Sequence, residues 1–211
     1  MSITTFYIVR HGQSYGNLED LFLGHTDMDL TDLGYEQAAI TADFLDPIHF
    51  DAIYSSDLSR AYHTAEVTAK RKGLSVRKDP ALREIYAGIW EAEKFNELGD
   101  KWYNEFQLWG HDFGNCYCPG GESVPQLRER ITTALERIAK AHPGETIGIF
   151  SHAVVIRVLT AAWLGLTAAQ MQDHPWPSNA SVTKAIYRDE KFTLVAYNED
   201  DFMGEKRTTL D

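Results

Sequence analysis

Apolar runs near residues 3–9, 51–55, 74–78 and 146–150 are short and continuous, the pattern of strands buried on both faces of a sheet. Two more β-rich stretches, 181–188 and 192–197, flank Asp189-Glu190-Lys191 and predict a hairpin at a sheet edge. Between these runs the period changes to that of helices. Residues 57–72 read as a helix ended by Gly73. Ser123-Val-Pro-Gln126 has the form of a capping box with proline in the first turn. Val124, Leu127, Ile131, Leu135 and Ile138 follow at spacings of three and four, so this helix is amphipathic. Residues 153–164 are apolar almost all round and stop at Gly165, which predicts a helix packed on the sheet. Strand and helix in alternation imply an α/β fold: three αβα layers, a largely parallel central sheet and a hairpin near its edge. Between about 86 and 120 the pattern breaks into dense aromatics without a clear strand. That stretch reads as a small helical cap inserted in one domain spanning 1–211. It is either a packed subdomain or a wall for a ligand.

Charge narrows the partners. A net charge of −11 argues against nucleic acid, which needs a basic footprint, but leaves room for a small anion in one pocket. No apolar run approaches a membrane span and no signal peptide is read at the N-terminus, so a cytoplasmic location is expected. Cys116 and Cys118 flank a single tyrosine, poor spacing for a mutual bridge and too few thiols for structural zinc, so reduced thiols are expected. The histidines share no metal-ligand spacing, and no acidic cluster suggests Mg²⁺ or Mn²⁺. Neither a metal nor a cofactor is expected; His25, just past the first motif, is the histidine nearest to an exception.

Three positively chargeable clusters each follow a predicted strand: Arg10-His11-Gly12 with Ser14 and Asn17, Ser55-Ser56-Asp57-Leu58-Ser59-Arg60, and Ser151-His152-Ala153. The carboxyl ends of strands line the ligand crevice of an open α/β sheet, so these clusters should converge. Two arginines and two histidines beside helix N-termini make an anion site. Arginine's planar fork matches phosphate oxygens. Gly12 would let backbone approach the ligand. A neutral histidine in such a cage is a credible nucleophile for phosphorus.

At this point the chain resembles the histidine phosphatase, or phosphoglycerate mutase-like, superfamily. Arg10-His11-Gly12-x-Ser14-x-x-Asn17 matches its defining motif. Further matches run in order through Asp29-Leu30-Thr31-x-x-Gly34-x-x-Gln37-Ala38, Ser55-Ser56-x-Leu58-x-Arg60-Ala61-x-x-Thr64-Ala65 and Leu82-x-Glu84-x-x-x-Gly88-x-Trp90-Glu91. They finish at Pro119-Gly120-Gly121-Glu122-Ser123 and Ser151-His152. The resemblance implies that His11 is phosphorylated, that Arg10, Arg60 and His152 hold the phosphoryl oxygens, and that Glu84 serves as general acid and then base. It implies supporting contacts from Asn17, Ser14 and the position of Ala153, where the family usually has glycine. Glu91 and Glu93 are acids close enough to compete with Glu84 for the role.

The implied activity is metal-independent hydrolysis of small phosphorylated metabolites, with inorganic phosphate as product. Mutases of the family follow their acid with Arg-His-Tyr-Gly; here Ile85-Tyr86-Ala87-Gly88 follows Glu84, and the insertion offers only Lys94, Lys101 and His111 as cations. A phosphatase is therefore favoured over mutase-type transfer, and a non-catalytic phospholigand-binding module would usually lack His11 or Glu84. The aromatic insertion points to a leaving group with ring or apolar character, or to broad specificity. Nothing in the sequence defines the oligomeric state.

Overall fold

The structure, a computed structural model, describes residues 2–209. Its strands are β1 (Thr4–Arg10), β2 (Leu21–Phe22), β3 (Ala52–Ser55), β4 (Val76–Lys78), β5 (Glu93–Lys94), β6 (Thr146–Ser151), β7 (Val182–Arg188) and β8 (Lys191–Glu199). Its α-helices are α1 (Tyr15–Leu18), α2 (Asp32–Phe44), α3 (Ser59–Lys72), α4 (Phe95–Lys101), α5 (Tyr103–His111), α6 (Val124–Ala141) and α7 (Ala153–Trp163). The main sheet has the order β4-β3-β6-β1-β7-β8. Its first four strands run parallel, β7 pairs antiparallel with β1, and β8 pairs antiparallel with β7.

Alternation along β1 sets the layers. Phe6 and Ile8 point into a core shared with α6 and α7, while Tyr7 and Val9 point into a second core with Ala65 and Ala69 of α3. The sheet is thus covered on both faces, as the continuous apolar runs predict. Ser123 and Gln126 form the reciprocal capping box, Pro125 sits in the first turn, and the predicted apolar stripe of α6 is buried. The edge hairpin is tighter than its sequence suggests: Arg188 pairs with Lys191, leaving Asp189 and Glu190 as a two-residue turn with φ of 52° and 59°.

Two elements depart from the sequence expectation. Helix α2 carries no large apolar stripe; it buries Gly34, Gln37, Ala38, Thr41 and Ala42, so periodicity does not reveal it. The insertion contains a strand after all: Glu93–Lys94 pairs antiparallel with Leu21–Phe22, fastening the cap to the loop after α1. Both thiols are free and buried, and burial pushes Cys116 up to about 12 and Cys118 upward as well. No helix among the described residues is long and apolar enough to cross a membrane.

Candidate active site

The ends of β1 and β6 meet the start of α3 at one point. Arg10 closes β1 and pairs with Ser151, the last residue of β6. His11 and His152 follow these strands, with ring centroids 5.2 Å apart at 63°. Thr64 of α3 accepts from the Gly12 N–H at 3.1 Å, locking α3, and with it Arg60, to the His11 loop. Arg10, His11, Arg60, Glu84, Asn17 and Ala153 all line one pocket of about 350 Å³. His152 is fully buried, with its ring edge-on to that of His11.

The tautomer of His11 follows from one contact. Its Nδ1 lies 2.7 Å from the carbonyl of Gly12, which can only accept, so Nδ1 carries the proton and Nε2 keeps its lone pair. Burial, then the charges of Arg60 and Arg10, hold its pKa well below 6.5 and keep the ring neutral. His152 is lowered in the same way, first by burial and then by Arg60.

The guanidiniums are anchored from behind. Arg10 donates to Pro177 O at 2.6 Å, and Arg60 donates to Thr26 O and Gly24 O at 2.9 and 2.8 Å. Burial pushes both pKa values down to about 10, so both remain charged at neutral pH. Arg10 Nε and both ring nitrogens of His152 are buried with no partner among the described residues, and oxygens of an anion would satisfy Arg10 Nε and the one N–H that a neutral His152 carries.

Glu84 sits between a backbone turn and a helix start. Its Oε1 accepts from Ile85 N at 2.9 Å and its Oε2 from Val154 N at 3.1 Å. Burial raises its pKa, against the lowering pull of these N–H groups and of Arg60 and Arg10. The competing acids are engaged elsewhere. Glu91 accepts from the backbone of His25, Thr26 and Ala87 and from the Thr26 hydroxyl, and so pins the loop whose carbonyls hold Arg60. Glu93 pairs with Lys101.

The structure gives several of these residues specific neighbours. Ser14 is not on the pocket wall: it caps α1, and its hydroxyl donates to Asn17 Oδ1 at 3.0 Å. Asn17 Oδ1 also accepts from Ser14 N and Asn179 Nδ2, which leaves its amide Nδ2 as the donor a ligand can meet. Gly12 is required by packing, since a Cβ there would lie 2.4 Å from the Gly34 carbonyl. Ala153 occupies the first position of α7 and is absent from the positive-φ residues, so the alanine carries no strain. His25 turns to the acid's own loop: its Nε2 donates to the Glu84 carbonyl at 2.9 Å. Arg157 lies one turn beyond the site and donates to the carbonyls of His174, Met171 and Gln172.

Sequence reasoning missed Asn179 and Arg130. Asn179 Nδ2 donates to the His11 carbonyl at 3.1 Å, and its Oδ1 accepts from the hydroxyl of Thr208, which also lines the pocket. Arg130 donates to Ala81 O, Arg83 O and Glu84 O and pairs with both oxygens of Glu122. Three carbonyls and one carboxylate thus converge on a single guanidinium. Arg130→Ala is expected to lower stability by about 2 kcal/mol and to reduce turnover by releasing the Glu84 loop. Thermal melting and steady-state rates check both effects; a variant with wild-type kcat would show that the loop holds itself.

The model of the histidine phosphatase superfamily (branch 1) matches residues 6–200 of this chain. The chain belongs to that superfamily. It is 31% identical over 198 residues to phosphoserine phosphatase 1 of Hydrogenobacter thermophilus, covering 94% of this chain and 93% of that protein. Bacillus stearothermophilus YhfR superposes with a TM-score of 0.90 at 28% identity, over 95% of this chain and 99% of its own. The mycobacterial glucosyl-3-phosphoglycerate phosphatase complexed with VO3 superposes with a TM-score of 0.85 at 28% identity, over 93% and 99% of the two chains. Among the described residues of this histidine phosphatase, no group of three or more His, Cys, Asp or Glu side chains is arranged to hold a metal ion.

Proposed function

We propose that this histidine phosphatase hydrolyses small phosphomonoesters through a phosphohistidine on His11. The carrying observation is the fixed tautomer: the Gly12 carbonyl holds the Nδ1 proton, so the free lone pair of Nε2 belongs to the pocket that Arg10 and Arg60 line. Nε2 attacks phosphorus in line and forms the N–P bond as the P–O bond to the leaving group breaks. Arg10, Arg60 and His152 stabilise the charge spread over the phosphoryl oxygens. Protonated Glu84 delivers its proton to the leaving oxygen. The resulting carboxylate takes a proton from water, whose oxygen attacks phosphorus. The N–P bond breaks, neutral His11 returns, and inorganic phosphate leaves. Asn17 Nδ2 supplies a neutral hydrogen bond, and Ser14 positions Asn17. Water is the acceptor in this reading because the described residues that line the pocket provide no cation besides Arg10 and Arg60 to grip a phosphoglycerate carboxylate.

The test is phosphate release from a panel of phosphomonoesters, including 3-phosphoglycerate and an aromatic ester, with a chelator present. Chelator-resistant release is expected. Isomerisation of phosphoglycerate with a bisphosphorylated primer, and no phosphate release, would replace this reading with a mutase; silence throughout would favour a binding protein. The side-chain groups and the lack of a membrane-spanning helix among the described residues fit a small dissolved substrate in the cytoplasm.

A further inference from the structure

We infer that the distal half of the pocket selects phosphomonoesters whose leaving group carries a ring and is neutral or cationic, and that Asp20 is the residue which disfavours an anionic one. The inference rests on the phosphatase reading, which places the phosphoryl group against Arg10 and Arg60 and directs the leaving group towards the cap. There the wall is formed by Phe22, Phe95, Trp109 and Trp176. Phe22 meets Trp109 edge-on at 4.8 Å and stacks on Phe95 at 6.0 Å; Trp109 stacks on Trp176 at 5.9 Å. Trp176 is itself held by Arg157, whose guanidinium lies 4.0 Å from the ring centre while its N–H groups are tied to three carbonyls. These rings therefore keep their positions without a ligand. A preformed aromatic wall favours a flat apolar group over a small polar one.

Charge at this end has one sign. Among the described residues that line the pocket, Asp20 is the only acid or base outside the group formed by Arg10, His11, Arg60 and Glu84. It has a left-handed backbone, φ 56°, in the link from α1 to β2, where its carbonyl accepts from Phe95 N at 2.8 Å. No described residue pairs with its carboxylate. The cations of the insertion are committed away from the pocket: Lys94 to the Glu19 carbonyl, Lys101 to Glu93 and Glu97. His111 is exposed and does not line the cavity. A carboxylate on the leaving group would therefore meet a like charge and no compensating cation, whereas an ammonium would be attracted.

Non-hydrolysable phosphonates separate this inference from the catalytic one, because binding is read without turnover. Trp109 and Trp176 report occupancy through their fluorescence. Benzylphosphonate is expected to bind at least about tenfold more tightly than propylphosphonate. The 4-aminomethyl congener should bind at least about tenfold more tightly than the 4-carboxy congener, and Asp20→Asn should narrow that ratio to about threefold or less. Equal affinity for the propyl and benzyl compounds, tight binding of the carboxylate, an unchanged ratio in Asp20→Asn, or no fluorescence response from any phosphonate would each overturn the inference. The wild-type ranking stands even if the variant misfolds. Loss of the phosphatase reading shows separately, as absence of chelator-resistant phosphate release while the ranking persists.

Discussion

His11→Ala should lower kcat by at least about four orders of magnitude, the loss typical when a covalent nucleophile is removed from a unit that acts together. No neighbouring group can take its place. His152 serves the phosphoryl oxygens in this reading, and Glu84 has both oxygens bound to backbone N–H groups. Removing the ring does not remove what holds the loop, because the Gly12 N–H bond to Thr64 and the His11 carbonyl bond to Asn179 do not involve the imidazole. Rapid quenching with ³²P-labelled ester should trap an alkali-stable, acid-labile phosphoenzyme in the wild type and none in the variant, whose melting should remain cooperative. The pH dependence has a definite sign. The reactive form is neutral, and burial with Arg60 and Arg10 keeps the pKa well below 6.5, so lowering the pH through 6.5 should not protonate His11. Labelling that persists in His11→Ala would move the nucleophile to another residue.

The parts of this site legible in sequence were those announced by strand ends. Arg10, His11 and His152 directly follow apolar runs, and a sheet forces such residues together. Arg60 was legible through its motif, although its helix begins two residues later than the pattern suggests. Helix α2 was hidden because its inner face is small and polar, the composition needed where Gly34 must lie against the His11 loop. Ser14 and Gly12 were read as facing a ligand, and the structure adds a capping duty for one and a packing duty for the other, since a motif records that a residue type is required without saying which neighbour requires it. Asn179 and Arg130 left no signal at all. Their work is to donate across separations of 168 and 46 residues, to the His11 and Glu84 carbonyls, and nothing local marks such a partner. The aromatic insertion was readable as apolar density, but its division between core and pocket was not: Trp90 is fully buried in the core, whereas Phe95 and Trp109, also packed there, face the cavity.

Glu84→Gln should separate proton transfer from the rest of the machinery. Gln is nearly isosteric, so the site keeps its shape, but only one oxygen remains to accept from Ile85 N or Val154 N. For an alkyl ester, whose leaving oxygen needs a proton as the bond breaks, a loss of about 10²–10⁴ in kcat/KM is expected. For an activated aryl ester the same step should fall much less, because the departing phenolate needs little help. Hydrolysis of the phosphoenzyme still lacks its base, so the aryl ester should give a burst of phenol followed by slow turnover, with phosphohistidine accumulating. The pH profile supplies the second sign. Burial raises the Glu84 pKa above 4.5, so in the wild type the protonated acid persists to higher pH than for an exposed carboxyl and is lost as pH rises through that raised value. Wild-type kcat/KM for alkyl esters should therefore fall on the alkaline side of that value, and Glu84→Gln should lack that limb. A variant that loses the same factor on alkyl and aryl esters, and keeps the wild-type pH profile, would assign Glu84 to holding the start of α7 and require another acid for the leaving group.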